Sequence, residues 1–300
     1  MKTNGWELLI SWRDKIGEVA YGLGFNISDN KSKITKFENI TKILSADHYV
    51  GKMMGEIWGY EYDRFYTVND FVEGTLSTTA AGELTGGTLK PGIAKVRAST
   101  PNPGDVLFKN PDENGDIWNS TNTADDPGSR RIIGNDSHRY IFGFNADVSW
   151  KGFSLSVLLQ GTAKRQVWIK QSTTIPYSVD WFVNLYDYQL NYWRPDNMNS
   201  YYPRIYRSAG YTTGANTSVS DRYLLNAAYL DIKSVVLSYE LPKSLISKIN
   251  LDRVTVFING ENLWSFNHFP DGLHPDNKVR DAGTSYPMMR LFTGGLNITF

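Results

Sequence analysis

Asp112-Glu113-Asn114-Gly115-Asp116 offers side-chain oxygens at i, i+2 and i+4, the spacing with which a loop wraps a hard cation such as calcium. The run departs from a calcium loop at two telling places. Ile117 stands where glycine would make the sharp turn, and Thr123 where a bidentate glutamate would close the shell. Asp112, Asn114 and Asp116 are therefore weak candidate ligands for a structural calcium, with an acidic surface turn as the alternative. The four histidines, His48, His138, His268 and His274, fall between the strand-like segments and lack the HExxH spacing of a zinc enzyme. His268 and His274, in FNHFPDGLHPDN, lie near enough in sequence to share a metal, and solvated loop histidines are the plainer reading. Carboxylates are plentiful, but the sequence fixes no pair at the separation a glycosidase needs, and there is no GxSxG elbow. With no cysteine, thiol nucleophiles, thiolate metal sites and disulfides are excluded, and no catalytic residue is assigned.

Aromatic residues are the better candidates for contact chemistry. The chain holds 9 Trp, 18 Tyr and 14 Phe, and VDWFVNLYDYQLNYWRPDN concentrates Trp181, Tyr186, Tyr188, Tyr192 and Trp193 in one connection. Aromatic faces stack on sugar rings and favour protein interfaces, so these five are candidates for substrate or partner contact. The same stretch also suits a short helix packed on neighbouring loops. Asn-x-Ser/Thr matches, among them Asn26, Asn39, Asn119, Asn216 and Asn297, are read as chance, and two of these fall on predicted strands. Acidic and basic residues balance at 31 each, which argues against a nucleic-acid partner.

The elements that carry these residues read as β-strands. No apolar run reaches the ~18 residues of a membrane helix, whereas a membrane strand needs only ~9 to 11 alternating residues. Trp6, Leu8, Ile10 and Trp12 share one parity; RDKIGE turns the chain; Val19, Tyr21, Leu23, Phe25 and Ile27 then alternate with small and polar residues. A second hairpin alternates from Tyr140 to Trp150, turns at Lys151-Gly152, and alternates again from Phe153 to Gln160. A third runs from about Tyr223 to Leu241 and from Val254 to Trp264. A parity change between Ile232 and Val235 predicts a bulge near Lys233 and Ser234. The seventh segment, YPMMRLFTGGLNITF, places Phe292, Leu296, Ile298 and Phe300 on one face and ends on an aromatic, as closing strands of outer-membrane barrels do.

Connection lengths alternate strictly between short and long. The long ones, at 29–139, 170–222 and 266–287, predict extracellular loops, because membrane barrels have short periplasmic turns and long outer loops. The first strand then descends, the seventh also descends, and Phe300 lies at the periplasmic rim. Seven strands leave two free edges, so the pattern predicts the tail of a larger barrel. Trp6, Trp12, Tyr140, Trp150 and Phe153, near strand ends, are read as an aromatic girdle at the headgroup level. A soluble secreted or periplasmic glycan-binding β-sandwich has the same period and is the alternative.

Several stretches are distinctive, among them GWELLISWRDKIGEVAYGLGFNISDN, RRIIGNDSHRYIFGFNADVSWKGFSLSVLLQG, YWRPDNMNSYYPRIY and the segment ending GENLWSF. In these the chain resembles the C-terminal barrel portion of SusC/RagA-type TonB-dependent outer-membrane transporters. The resemblance spans nearly the whole chain in family order. It implies an all-β fold, a partial transmembrane antiparallel barrel corresponding to the last ~7 strands of 22, without the plug. It implies a noncatalytic wall-and-loop segment of a nutrient importer for glycan oligomers or peptides, located in the cell outer membrane. Implied partners are a SusD-like surface lipoprotein, outer-membrane lipid, and the TonB complex acting through an N-terminal part that is not recognisable here. No secretory signal opens the chain, so Met1 is read as an internal start or a truncation. Phe300 would be the terminus read during barrel assembly.

Overall fold

A computed structural model of the 300-residue chain describes residues 1–44, 48–80, 82–96, 100–111, 116–117, 122–169, 186–206, 215–247, 251–276 and 287–300. The sequence alternation becomes long strands. In chain order these are β1 (Lys2–Ile16), β2 (Val19–Lys33), β3 (Glu56–Tyr60), β4 (Tyr62–Phe65), β5 (Ser77–Thr78), β6 (Leu84–Thr85), β7 (Val106–Phe108) and β8 (Arg130–Asn135). There follow β9 (Arg139–Trp150), β10 (Phe153–Lys164), β11 (Gln166–Val167), β12 (Leu225–Asn226), β13 (Tyr229–Glu240), the one-turn helix α1 (Lys243–Ile246), β14 (Arg253–Asn267) and β15 (Leu291–Thr299). Seven of the strands form one antiparallel sheet in the order β1-β2-β9-β10-β13-β14-β15, a meander in which each strand pairs with the next sheet strand along the chain.

Three connections at one end of this sheet are short. Gly17 takes φ 61 at the first position of the two-residue β1–β2 turn, which a side chain would strain. Lys151 and Gly152 both have positive φ (46 and 87), as a two-residue type I′ hairpin requires. The third short connection carries α1. The first turn is tighter than RDKIGE suggested: Asp14 pairs Tyr21 and Ile16 pairs Val19, so these polar residues continue the strand instead of leaving it. At the other end, the sheet strands are joined by residues 34–138, 165–228 and 268–290. Among the described residues of the first two, β3 pairs β8, β4 pairs β7, β5 pairs β6 and β11 pairs β12.

Register assigns the faces. Cross-strand partners share a face, and one continuous row reads Trp12, Leu23, Ala146, Val157, Val235, Gly260 and Phe292. Past Asp14 on β1, the next reads Tyr21, Val148, Leu155, Leu237 and Ile258. These residues are apolar, and Trp12, Val148, Ile258 and Phe292 are 59%, 40%, 60% and 74% exposed. No second sheet among the described residues covers this face. The opposite face carries Gly22, Asp147, Ser156, Val236 and Asn259 in one row, polar but for Val236, and Gly24, Asn145 and Ser234 in another. Leu9, Leu158 and Leu291 are exposed apolar exceptions on that polar face.

Lys233 is skipped in the pairing of β13 with β10, which runs from Leu158–Ser234 to Leu159–Ile232. This is the bulge the parity change predicts, and it keeps Leu230, Ile232, Val235 and Leu237 on one face. The buried core lies outside the sheet, in the long connections: Tyr60, Phe65, Tyr66, Phe71, Val106, Phe108, Ile117 and Trp193 pack together. No helix among the described residues is long and apolar enough to cross a membrane, a test that does not bear on strands.

Candidate functional site

On the polar face of the sheet three long polar side chains, Asp147, Asn145 and Asn26, each lie over a glycine of the neighbouring strand. A Cβ on Gly22 would lie 2.5 Å from Asp147 Oδ2, one on Gly24 2.3 Å from Asn145 Oδ1, and one on Gly143 2.7 Å from Asn26 Oδ1. The carboxylate and amides therefore lie flat across the neighbouring strand. With Leu9, Ser11 and Arg13 they line a shallow groove of about 110 Å³. Further along the same face, Asp231 is buried beneath His274 (Nε2 to Oδ1, 3.0 Å) and beside Lys233 (Nζ to Oδ2, 3.4 Å). Tyr229 meets the His274 ring edge-on at 5.2 Å. His274 thus serves to anchor residues 268–276 on the wall, which its sequence neighbourhood did not reveal.

The first two long connections are locked together by one buried polar centre. Asp105 is fully buried; its Oδ1 accepts hydrogen bonds from Tyr206 Oη (2.7 Å) and Asn216 Nδ2 (2.8 Å), and its Oδ2 accepts one from the Asn102 N–H (2.7 Å). Asn216 Oδ1 accepts the Val106 N–H at 2.8 Å, and Asn102 Nδ2 donates to Tyr206 Oη at 2.7 Å. Burial pushes the Asp105 carboxyl above the ordinary carboxylate value, against the pull of these donors. Beside it the Arg204 guanidinium donates to the Leu84 carbonyl and to Glu83 Oε2. Arg222 lies over the ring of Tyr62 at 4.1 Å, and its Nε donates to the Tyr201 carbonyl at 2.8 Å. Residues about 100 positions apart are thereby fixed as one packed unit. In the sequence Asn216 showed only as a chance sequon, and Asp105 was not singled out.

The aromatic candidates separate by environment. Tyr186 and Tyr188 stack with centroids 5.3 Å apart and 7° between planes, and Tyr186 is exposed. Burial, then Tyr186, pushes the Tyr188 phenol up to about 12. Tyr192 lies under the Arg194 guanidinium at 5.3 Å. Trp193 is buried in the connection core against Gly104, whose φ of 91 and close approach leave no room for a side chain. The structure gives Trp193 a packing role. A 3-10 turn at Asp187–Leu190 matches the short-helix alternative for this stretch. Trp181 lies outside the described residues.

Trp150 and Phe153 face each other across the Lys151-Gly152 turn, with the Phe153 and Tyr239 rings 4.4 Å apart. Trp12 lies toward the same end on β1, Trp6 toward the other, and Tyr140 follows Arg139 at the long-connection end of β9, beneath its guanidinium. Phe300 follows β15 and is 87% exposed. Asp112 and Asn114 lie outside the described residues, and Asp116 is exposed. Among the described residues, no group of three or more His, Cys, Asp or Glu side chains is placed to hold a metal ion.

No family model matches the chain. Curated relatives do match it. TonB-dependent receptor P3 of Formosa agariphila is 26% identical over 325 residues, covering 100% of this chain and 29% of that protein. TonB-dependent receptor P26 of the same organism is 28% identical over 199 residues, covering 63% of this chain and 19% of its own. Among solved structures, the RagAB peptide importer in its open-open state matches with a TM-score of 0.66 at 18% identity, over 99% of this chain and 28% of that one. The RagAB peptide transporter matches with a TM-score of 0.64, over 99% and 29%. The chain spans under a third of the length of these relatives and structures. Its fold is a partial transmembrane antiparallel β-barrel, and the resemblance to SusC/RagA-type TonB-dependent transporters read from its sequence is borne out.

Proposed function

We propose that this chain is a wall-and-loop segment of a TonB-dependent nutrient importer in the cell outer membrane. The observation that carries the reading is the seven-stranded sheet with an uncovered apolar face, short turns at one end and long folded connections at the other. A sandwich would bury that face beneath a second sheet, so the soluble alternative loses its main support. The apolar face meets lipid, with Trp6, Trp12, Tyr140, Trp150 and Phe153 as girdle aromatics; the polar face with Asn26, Asn145 and Asp147 lines the pore. Connections 34–138, 165–228 and 268–290 are extracellular, and exposed Tyr186 with its stacked partner Tyr188 contacts substrate or a SusD-like lipoprotein lid. The segment is noncatalytic. The TonB complex acts through other parts of the longer protein. The substrate is a glycan oligomer or a peptide.

Deleting the gene for the full-length protein and supplying oligosaccharides or oligopeptides as sole carbon source tests the reading. Growth on one class should fail and return with the intact gene. Undiminished growth and uptake of both classes would contradict it.

A further inference from the structure

At the long-connection end of the sheet the apolar face gives way to lysine. The β1–β2 register is continuous from Lys2–Lys33 to Ile16–Val19, so Lys2 and Lys33 oppose each other directly, and Lys31, opposite Asn4, lies on the adjacent diagonal. All three share the parity of Trp12 and Leu23. Thr3 and Ser32 hydrogen-bond to each other at 2.8 Å on the opposite face. Like charges in direct cross-strand opposition are destabilising unless something neutralises them. Of the described carboxylates, Asp29 acts on Lys31, but none pairs with Lys2 or Lys33. Asp29, one row below opposite Trp6, is taken by Arg139, whose Nε and Nη2 both donate to it, and no ion pair reaches Lys2, Lys31 or Lys33 among the described residues. At the short-turn end the pattern is reversed: Lys151 pairs with Glu18 at 3.0 Å and Arg253 with Glu240 at 3.2 Å.

Depth identifies the kind of anion these lysines would meet. Trp6 is the last ring of the apolar band on β1, and such rings settle at the headgroup level. Lys31 and then the Lys2–Lys33 pair lie one and two rows further out, each row about 6.6 Å along the strand. That is where the phosphates of an outer-leaflet lipid would sit, and clustered basic side chains beside a membrane-spanning surface bind such headgroups.

We propose that Lys2, Lys31 and Lys33 form a binding site for the phosphates of a phosphorylated glycolipid of the outer leaflet. The site rests on the reading of the apolar face as lipid-facing. The test uses the full-length protein in detergent, loaded with lipid A carrying its phosphates and, in parallel, with dephosphorylated lipid A; lipid retained per protein is measured by mass spectrometry. Wild type should retain the phosphorylated form, and the triple variant K2A/K31A/K33A about tenfold less or lower. The K2R/K31R/K33R variant should retain it as wild type does, and inorganic phosphate at millimolar concentration should not displace it. Equal retention by the alanine variant, or of dephosphorylated lipid A, overturns the site. Displacement by inorganic phosphate shows a free-anion site and overturns the lipid assignment. Heat-modifiability of each variant is recorded alongside: a wild type that never enters the membrane fraction overturns the membrane reading itself.

Discussion

Asn216 is the residue on which the unity of the long connections turns. Its amide donates to the buried Asp105 and accepts from the Val106 backbone, so Asn216→Ala leaves a buried carboxylate oxygen and a buried N–H short of a partner. Each such loss costs about 1–3 kcal/mol. We expect residues 34–138 and 165–228 of the full-length protein to become protease-sensitive at lower temperature, with barrel assembly unchanged; limited proteolysis across a temperature series measures it. A second residue sets a pH dependence. Burial alone would raise Asp70, but the Arg64 fork (2.6 and 2.8 Å) and the Thr67 N–H outweigh it and leave the carboxyl below its ordinary value of 3.8. A depressed folded-state pKa means that the stabilisation is complete above about pH 4 and is lost as pH falls through the folded value. Asp105, shifted upward, works in the opposite sense, so the variant must isolate the effect. Asp70→Asn should lower thermal stability at pH 7 by about 1 kcal/mol, the pair being partly solvent-screened. It should also flatten the difference between pH 7 and pH 3. A variant losing as much stability on acidification as wild type would refute this role.

At the scale of elements, the sheet was legible because its signals are local and periodic. The parity of Trp6 to Trp12, the Lys151-Gly152 turn and the phase change at Lys233 each follow from period-two geometry, and the pairing reproduces them. Strand ends were less legible: Asp14 and Lys15 resemble turn residues, but a two-residue turn at Gly17 lets them stay paired. The segment before β13 was misjudged in the other direction, because Asp221–Tyr223 forms a 3-10 turn and the strand starts at Tyr229. The connection core was not legible. It depends on contacts such as Asp105–Asn216 and Gly104–Trp193, which no local pattern encodes. β15 carries a prediction of its own. Its Phe292, Leu296 and Ile298 continue the apolar face to Phe300, which projects past the last pairing at Arg253–Thr299. Removing Phe300, or replacing it with Asp, should reduce the amount of heat-modifiable full-length protein in the outer membrane. Ligand binding per assembled molecule should stay the same, because this rim lies far from the long connections. Normal assembly with impaired binding would point to a substrate-facing role instead.

For the whole molecule, the proposed topology sets the sheet between two compartments, with long connections outside the cell and short turns inside the envelope. This chain has no cysteine, so the topology is measurable once any cysteine elsewhere in the full-length protein is replaced by serine. Single cysteines are placed in the full-length protein at Ile40, which is 97% exposed in the first long connection, and at Glu18 in the first short turn. Intact cells are then treated with a membrane-impermeant maleimide. Ile40→Cys should be labelled in intact cells, and Glu18→Cys only after the outer membrane is permeabilised. Equal labelling of both positions in intact cells, or the reverse order, would contradict this topology.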